Sequence, residues 1–115
     1  MLYIQIGNAT FSAVPAQNEA AEALMDMLAE GPVTVEVENY GGFEKVGELP
    51  QALPQQDTRI TTKPGDIMLY QGDSIVFFYG SNTWSYTPLG TMQETNRETL
   101  RKAFGGSETT VILSR

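Results

Sequence analysis

A chain of 115 residues has the size of one domain and is long enough to bury a core without staples. Fourteen Asp and Glu against seven Lys and Arg give a net charge of −7, which repels phosphate backbones and argues against a nucleic-acid partner. With no cysteine and no histidine, the chain excludes disulfides, thiol catalysis and thiolate metal sites, and lacks the commonest acid–base residue and metal ligand.

The first residues, Met1-Leu2-Tyr3-Ile4-Gln5-Ile6, lack the basic region and long apolar stretch of a signal peptide. No apolar run approaches the ~20 residues that span a bilayer. The expectation is a soluble, cytoplasmic protein with no membrane partner. Leu2, Ile4 and Ile6 alternate with Tyr3 and Gln5, the period of a half-buried strand. Gly7-Asn8 is a hairpin signal, and Thr10 to Val14 returns as a second strand that Pro15 ends. Asn18 is placed to cap a helix, with Glu19 in its first turn. Ala21, Leu24, Met25 and Leu28 recur at helical spacing until Gly31-Pro32 stops the run. Glu19, Glu22, Asp26 and Glu30 lie off that stripe and read as a solvated face.

Val33, Val35 and Val37 alternate with Thr34, Glu36 and Glu38 in a clear β pattern. Asn39-Tyr40-Gly41-Gly42 turns, and Phe43 to Val46 makes a short return strand. Glu36 and Glu38 share a face, but two carboxylates supply too few oxygens for a divalent cation, so no metal is expected. Residues 47–57 read as a loop, because Pro50 and Pro54 deny regular ladder pairing. Leu49 and Leu53 would pin it; a Pro-rich ligand motif is the other reading.

Thr58 to Thr62 is a short polar strand carrying Arg59, and Pro64-Gly65 fits the centre of a type II turn. The densest stretch follows: Ile67-Met68-Leu69-Tyr70 and Ile75-Val76-Phe77-Phe78-Tyr79, joined by Gln71-Gly72-Asp73. Ile67, Leu69 and Gln71 share one face and Met68 and Tyr70 the other; across the turn, Ile75, Phe77 and Tyr79 oppose Val76 and Phe78. Both faces are bulky, so this hairpin must be covered twice or lie partly under a ligand. Gly80 to Thr83 is a polar loop, Trp84-Ser85-Tyr86 a brief strand, and Thr87-Pro88-Leu89-Gly90 a corner. Thr95 and Glu98 match a capping box for a second helix, whose buried stripe is Leu100, Ala103 and Phe104. Arg101 and Lys102 suit its last turn, Gly105-Gly106 ends it, and Thr109 to Ser114 is a final strand. About eight or nine short strands and two helices in one domain predict a mainly β fold: a closed eight-stranded barrel with helices at its ends. A barrel of about that strand number fills its lumen with its own side chains, which leaves the outer wall for a ligand.

The order of these elements, with Pro64-Gly65-Asp66-Ile67-Met68-Leu69-Tyr70, Phe77-Phe78-Tyr79 and Tyr86-Thr87-Pro88-Leu89-Gly90, resembles the small bacterial cyclophilin-like domain family over essentially the whole chain. The resemblance implies a single cyclophilin-like domain over residues 1–115: an eight-stranded barrel capped by two helices, in a family without an assigned function. True cyclophilins are prolyl isomerases of the same fold. Carried over by residue, the likeness turns Phe78 toward a groove, puts Tyr86 where cyclophilins carry a groove histidine, and sets Tyr70 and Gln71 on the rim. Two cyclophilin motifs are missing: nothing reads Phe-His-Arg, and Gln71-Gly72-Asp73 is a hairpin turn rather than the Gln-Gly-Gly-Asp motif. Arg59 is the only arginine near the barrel strands before the hairpin, in the unmatched context Asp57-Thr58-Arg59-Ile60.

Two functions follow. One is a non-catalytic module that holds a peptide or small molecule in a groove of Tyr70, Gln71, Phe78, Trp84 and Tyr86, with Arg59 nearby. Core packing is the competing reading for each aromatic, and for Phe78 it is the stronger of the two. The alternative is a prolyl isomerase, whose donor would have to be Arg59, a tyrosine hydroxyl or backbone. A hydrolase has no ordinary nucleophile–base pair, since Asp66 and Asp73 fall in turns, and no cofactor motif is present.

Overall fold

The structure, a computed structural model, describes residues 1–106 and 108–115. Among the described residues, nine strands and two helices follow one another. The first hairpin is β1 (Leu2–Ile6) and β2 (Ala9–Pro15), and helix α1 (Glu19–Ala29) comes next. A second hairpin is β3 (Val33–Tyr40) and β4 (Glu44–Glu48). After a loop come β5 (Thr58–Thr61), the hairpin β6 (Asp66–Tyr70) and β7 (Ser74–Phe78), and the long strand β8 (Thr83–Met92). Helix α2 (Arg97–Phe104) and strand β9 (Glu108–Ser114) complete the fold.

Hydrogen-bonded neighbours run β2-β1-β9-β3-β4-β7-β6-β8, and β2 pairs again with β8, so eight antiparallel strands close into a barrel. Strand β5 lies outside that ring, paired only with the first half of β8. Alternation then sorts the side chains. Ile67, Leu69, Ile75 and Phe77 join Leu2, Ile4, Val35, Val37, Val111 and Leu113 in the lumen. Leu24 and Leu28 of α1 and Leu100 and Phe104 of α2 belong to the same cluster, as do Leu49 and Leu53 from the loop. The other face of the central hairpin gives a second, smaller cluster of Met68, Val76, Phe78 and Tyr86, against which Phe43, Ile60 and Tyr70 pack. The expectation that both hairpin faces need cover is met by these two clusters.

Several local readings change. Residues 83–92 are one strand, not a brief strand and a corner. Ile67 pairs with Gly90 and Met68 with Pro88, so Leu89 is an extra residue in β8. This bulge admits Pro88, which has no N–H to give a ladder. Strand β2 ends at Pro15 as expected, with the proline itself as the last paired residue, opposite Gly90. The cap of α2 is Asn96, whose side chain accepts from the Thr99 amide, and not Thr95. Asn18 caps α1 as expected; its Oδ1 accepts from the Ala21 amide at 2.8 Å, and its Nδ2 donates to the Pro88 carbonyl at 2.8 Å. The Pro64-Gly65 turn also holds, with Gly65 at φ 100° and the Asp66 amide donating to the Lys63 carbonyl at 3.1 Å. Among the described residues no helix is long and apolar enough to cross a membrane.

Gly47 shows how tightly the barrel closes. It is buried in β4, and a Cβ there would lie 2.5 Å from the Glu36 carbonyl oxygen and 2.6 Å from the Val35 side chain. The first neighbour is backbone and cannot swing away. Gly47→Ala is therefore expected to lower stability by about 1–3 kcal/mol, read as a lower urea midpoint with an unchanged slope.

Candidate functional site

Over the outer cluster lies a cavity of about 370 Å³. Its walls come from three directions. Tyr70 arrives from β6, at the start of the Gln71-Gly72-Asp73 turn. Trp84 and Tyr86 arrive from β8, two residues apart and so on the same face. Tyr40, Phe43 and Glu44 arrive from the β3–β4 turn, where Tyr40 and Glu44 are paired across the ladder.

That turn is built for the purpose. Gly41 and Gly42 both have positive φ, 63° and 74°, which side chains seldom adopt. The Phe43 carbonyl accepts from the amides of Tyr79 (3.1 Å) and Gly80 (2.9 Å). A Cβ on Gly80 would stand 2.9 Å from that of Phe43, so a glycine is needed for this approach. Held so, the Phe43 ring stacks parallel to Phe78 at 6.4 Å. Phe78 in turn meets Tyr86 edge to face at 5.4 Å, and Tyr86 meets Tyr70 at 6.1 Å. Offset and edge-on contacts of this kind hold rings in place beyond their buried area.

The polar groups lie at the bottom of the cavity. Glu44 is only 4% exposed. Burial raises its pKa from the usual 4.5 to about 7, and the hydrogen bond with Tyr86 opposes that shift only in part. The Tyr86 hydroxyl also accepts from Asn82 Nδ2 at 2.9 Å, and burial pushes its own pKa up. Asn82 is fixed through its backbone: its amide donates to the Thr62 hydroxyl at 3.0 Å, and its carbonyl accepts from the Thr62 amide at 2.9 Å.

Of the residues singled out from the sequence, Tyr70, Trp84 and Tyr86 are brought together in this cavity. Phe78 is fully buried beneath it, as support rather than surface. Gln71 is at the edge, its Nε2 donating to the Tyr70 hydroxyl at 3.4 Å. Arg59 is not brought in. Its register partner is Ser85, one residue out of step with Trp84 and Tyr86, so it projects from the other face of the β5–β8 ribbon. Among the described residues no Lys or Arg lines the cavity. Sequence reading missed Tyr40, Phe43, Glu44 and Asn82. The one available signal was Gly41-Gly42, which marks a turn tight enough to aim its flanking side chains.

A smaller cavity of about 160 Å³ lies where Lys45, Tyr79 and Arg101 meet. Lys45 is fully buried, its ammonium donates to the Gly106 carbonyl, and burial pushes its pKa down.

Residues 4–114 match the Cyclophilin-like family (Cyclophil_like2), and the chain belongs to it. No curated protein and no solved structure matches the chain.

The raised pKa of Glu44 has a measurable sign. Between about pH 4.5 and 7 the folded protein keeps a proton that the unfolded chain releases. The stability associated with that proton is present at low pH and is lost as pH rises through the folded pKa. Burial pushes the Asp66 carboxyl the same way, so the test compares variants and not the whole curve. Glu44→Gln is expected to flatten the fall between pH 5 and 8 by on the order of 2 kcal/mol, measured by urea unfolding at several pH values.

Proposed function

We propose that the domain is a non-catalytic binding module that holds a peptide segment or small molecule in the outer-wall cavity. The observation that carries this reading is the state of the two aromatics at the mouth. Tyr40 is 66% exposed and Trp84 is 52% exposed, at the rim of a cavity whose deeper rings are packed and whose floor holds a buried carboxyl. Rings left half in water beside a formed cavity are the usual anchors of a binding surface. The volume falls in the range of small-ligand sites, on the order of 300–1,000 Å³, and the few polar groups converge at one point, as such sites require.

The isomerase alternative draws less support. A twisting prolyl amide needs a donor beside an apolar slot. Arg59 is across the ribbon, and the donors lining the cavity are all uncharged: Asn82, the Trp84 indole, the hydroxyls of Tyr40, Tyr70 and Tyr86, and Glu44 when protonated.

Trp84 is the chain's one tryptophan, so its fluorescence reports directly on the mouth of the cavity. Titration with a panel of blocked tripeptides covering all side-chain types, and with small aromatic amides, is expected to give a saturable change with at least one member. Tyr70→Ala should weaken that response about tenfold or more while leaving the far-ultraviolet circular dichroism unchanged. A folded protein that responds to no member of the panel would overturn the proposal.

A further inference from the structure

We infer that the ligand of this cavity is an organic cation, an alkylammonium or guanidinium head group held among aromatic rings above Glu44; the inference rests on the binding reading above. Three observations point to charge as the deciding feature. The first is the wall itself. Tyr40, Tyr70, Trp84 and Tyr86 line one volume, and aromatic rings attract cations most strongly where water is excluded. The second is the floor. Glu44 is buried, and no basic side chain among the described residues lines the cavity to neutralise it. A neutral ligand leaves that carboxyl as it is, whereas a cation supplies the missing partner.

The third observation lies outside the cavity. Val46 lines its edge and also lines a shallow groove that carries Glu36, Glu38, Glu48 and Glu108. Glu38 is paired directly across the ladder with Glu108, and on its other side with Val46. Like charges placed opposite each other on one sheet face destabilise it. Glu36 has the Thr110 hydroxyl as a partner at 2.8 Å, but among the described residues no Lys or Arg lines this groove. The aromatic cavity therefore opens beside a strip of unneutralised carboxylates. A cationic head group in the cavity would direct the rest of a polycationic ligand past Val46 and over Glu38 and Glu48.

The same arrangement gives binding a pH dependence. Glu44 faces Tyr40 on β3, Tyr70 on β6, and Tyr86 and the neutral Asn82 around β8, with Glu38 and Glu48 beyond Val46. Burial brings the Glu44 carboxyl to about 7, so its charge changes near neutrality. A cation binds the ionised carboxylate, and its arrival releases the proton from Glu44. Affinity should rise with pH up to about 7 and level off above it.

The test is calorimetric and uses defined probes on the full chain: choline, butylguanidinium, spermidine, the blocked peptide acetyl-Gly-Arg-Gly-amide, and 3,3-dimethylbutan-1-ol as the neutral isostere of choline. Choline is expected to bind at least about tenfold more tightly than the alcohol at pH 8, and about tenfold more tightly at pH 8 than at pH 5.5. Glu44→Gln should abolish the pH difference and cut the preference for choline several-fold, to what the rings alone supply. The exposed pair Glu38→Gln/Glu48→Gln, which leaves the cavity floor untouched, should weaken spermidine several-fold and choline little; unchanged spermidine affinity would overturn the groove's part. Comparison of the free amines with the arginine peptide tells a small polyamine from a basic protein segment as the source of the cation. Equal affinity for choline and the alcohol would overturn the cation while leaving the binding module standing. Silence from every cation, with a response to a neutral member of the tripeptide and amide panel, would do the same. Silence from both sets would overturn both.

Discussion

Everything in this fold depends on one hairpin serving two cores. Strands β6 and β7 turn Ile67, Leu69, Ile75 and Phe77 into the lumen and Met68, Val76 and Phe78 onto the outer wall. A slip of one residue would exchange the two sets. Because both faces are apolar, water does not decide between them, and the register must be held at the ends. At one end the Asp66 carboxylate accepts from the Lys63 amide and closes the Pro64-Gly65 turn. At the other the Leu49 and Leu53 amides donate to the carbonyls of Asp73 and Gly72. Those bonds fasten the loop to the hairpin tip and place Leu49 and Leu53 in the lumen cluster. The two-faced hairpin thus also explains why a proline-containing loop packs rather than hangs free.

Where the pattern had period two and large side chains, it could be read from residues alone. The two faces of the hairpin, the Val33–Val37 alternation and the Asn18 cap are of this kind, because each is settled within a few neighbouring residues. Other features depend on partners far along the chain. Whether Arg59 faces the cavity depends on its register against β8, and β5, with Ile60 as its single apolar residue among three polar ones, has no repeated alternation to set that phase. Pro88 looked like a corner because proline normally ends pairing; the extra residue Leu89 makes room for it. Glu44 was the hardest to see. As a charged residue after a glycine pair it reads as solvent-exposed, and only Tyr70, Tyr86 and Asn82, about 26 to 42 positions on, make it buried. Three of the eight residues that line the cavity were therefore legible, those contributed by the hairpin and β8.

Strand β4 is unusual in burying two adjacent ionisable residues on opposite faces. Glu44 goes to the outer cavity and Lys45 toward the barrel interior near Tyr79 and Phe104. The sheet keeps them apart although they are consecutive, so neither neutralises the other through a direct contact. Burial moves each toward its uncharged form, the carboxyl upward and the ammonium downward. Keeping two such groups inside a small barrel is costly unless each has something to meet. Lys45 has the Gly106 carbonyl, while Glu44 has Tyr86 and an open cavity. The two faces of one strand thus accommodate their buried charges differently, one on a backbone carbonyl and one beside the outer cavity.

The place of β9 has a consequence for how the molecule is made. This strand lies between β1 and β3, pairing Ile4 with Leu113 on one side and Val35 with Val111 on the other. It is the last of the barrel strands to leave the ribosome. Until it does, β1 and β3 present two bare edges that cannot meet each other, and the valine-rich edge of β3 is open to any passing strand. Ring closure thus waits until β9 has been made, and until then the nascent chain carries an incomplete wall. The acidic side chains that alternate along β3, Glu36 and Glu38, have a second use at that moment: they discourage a like edge from another unfinished copy from pairing there.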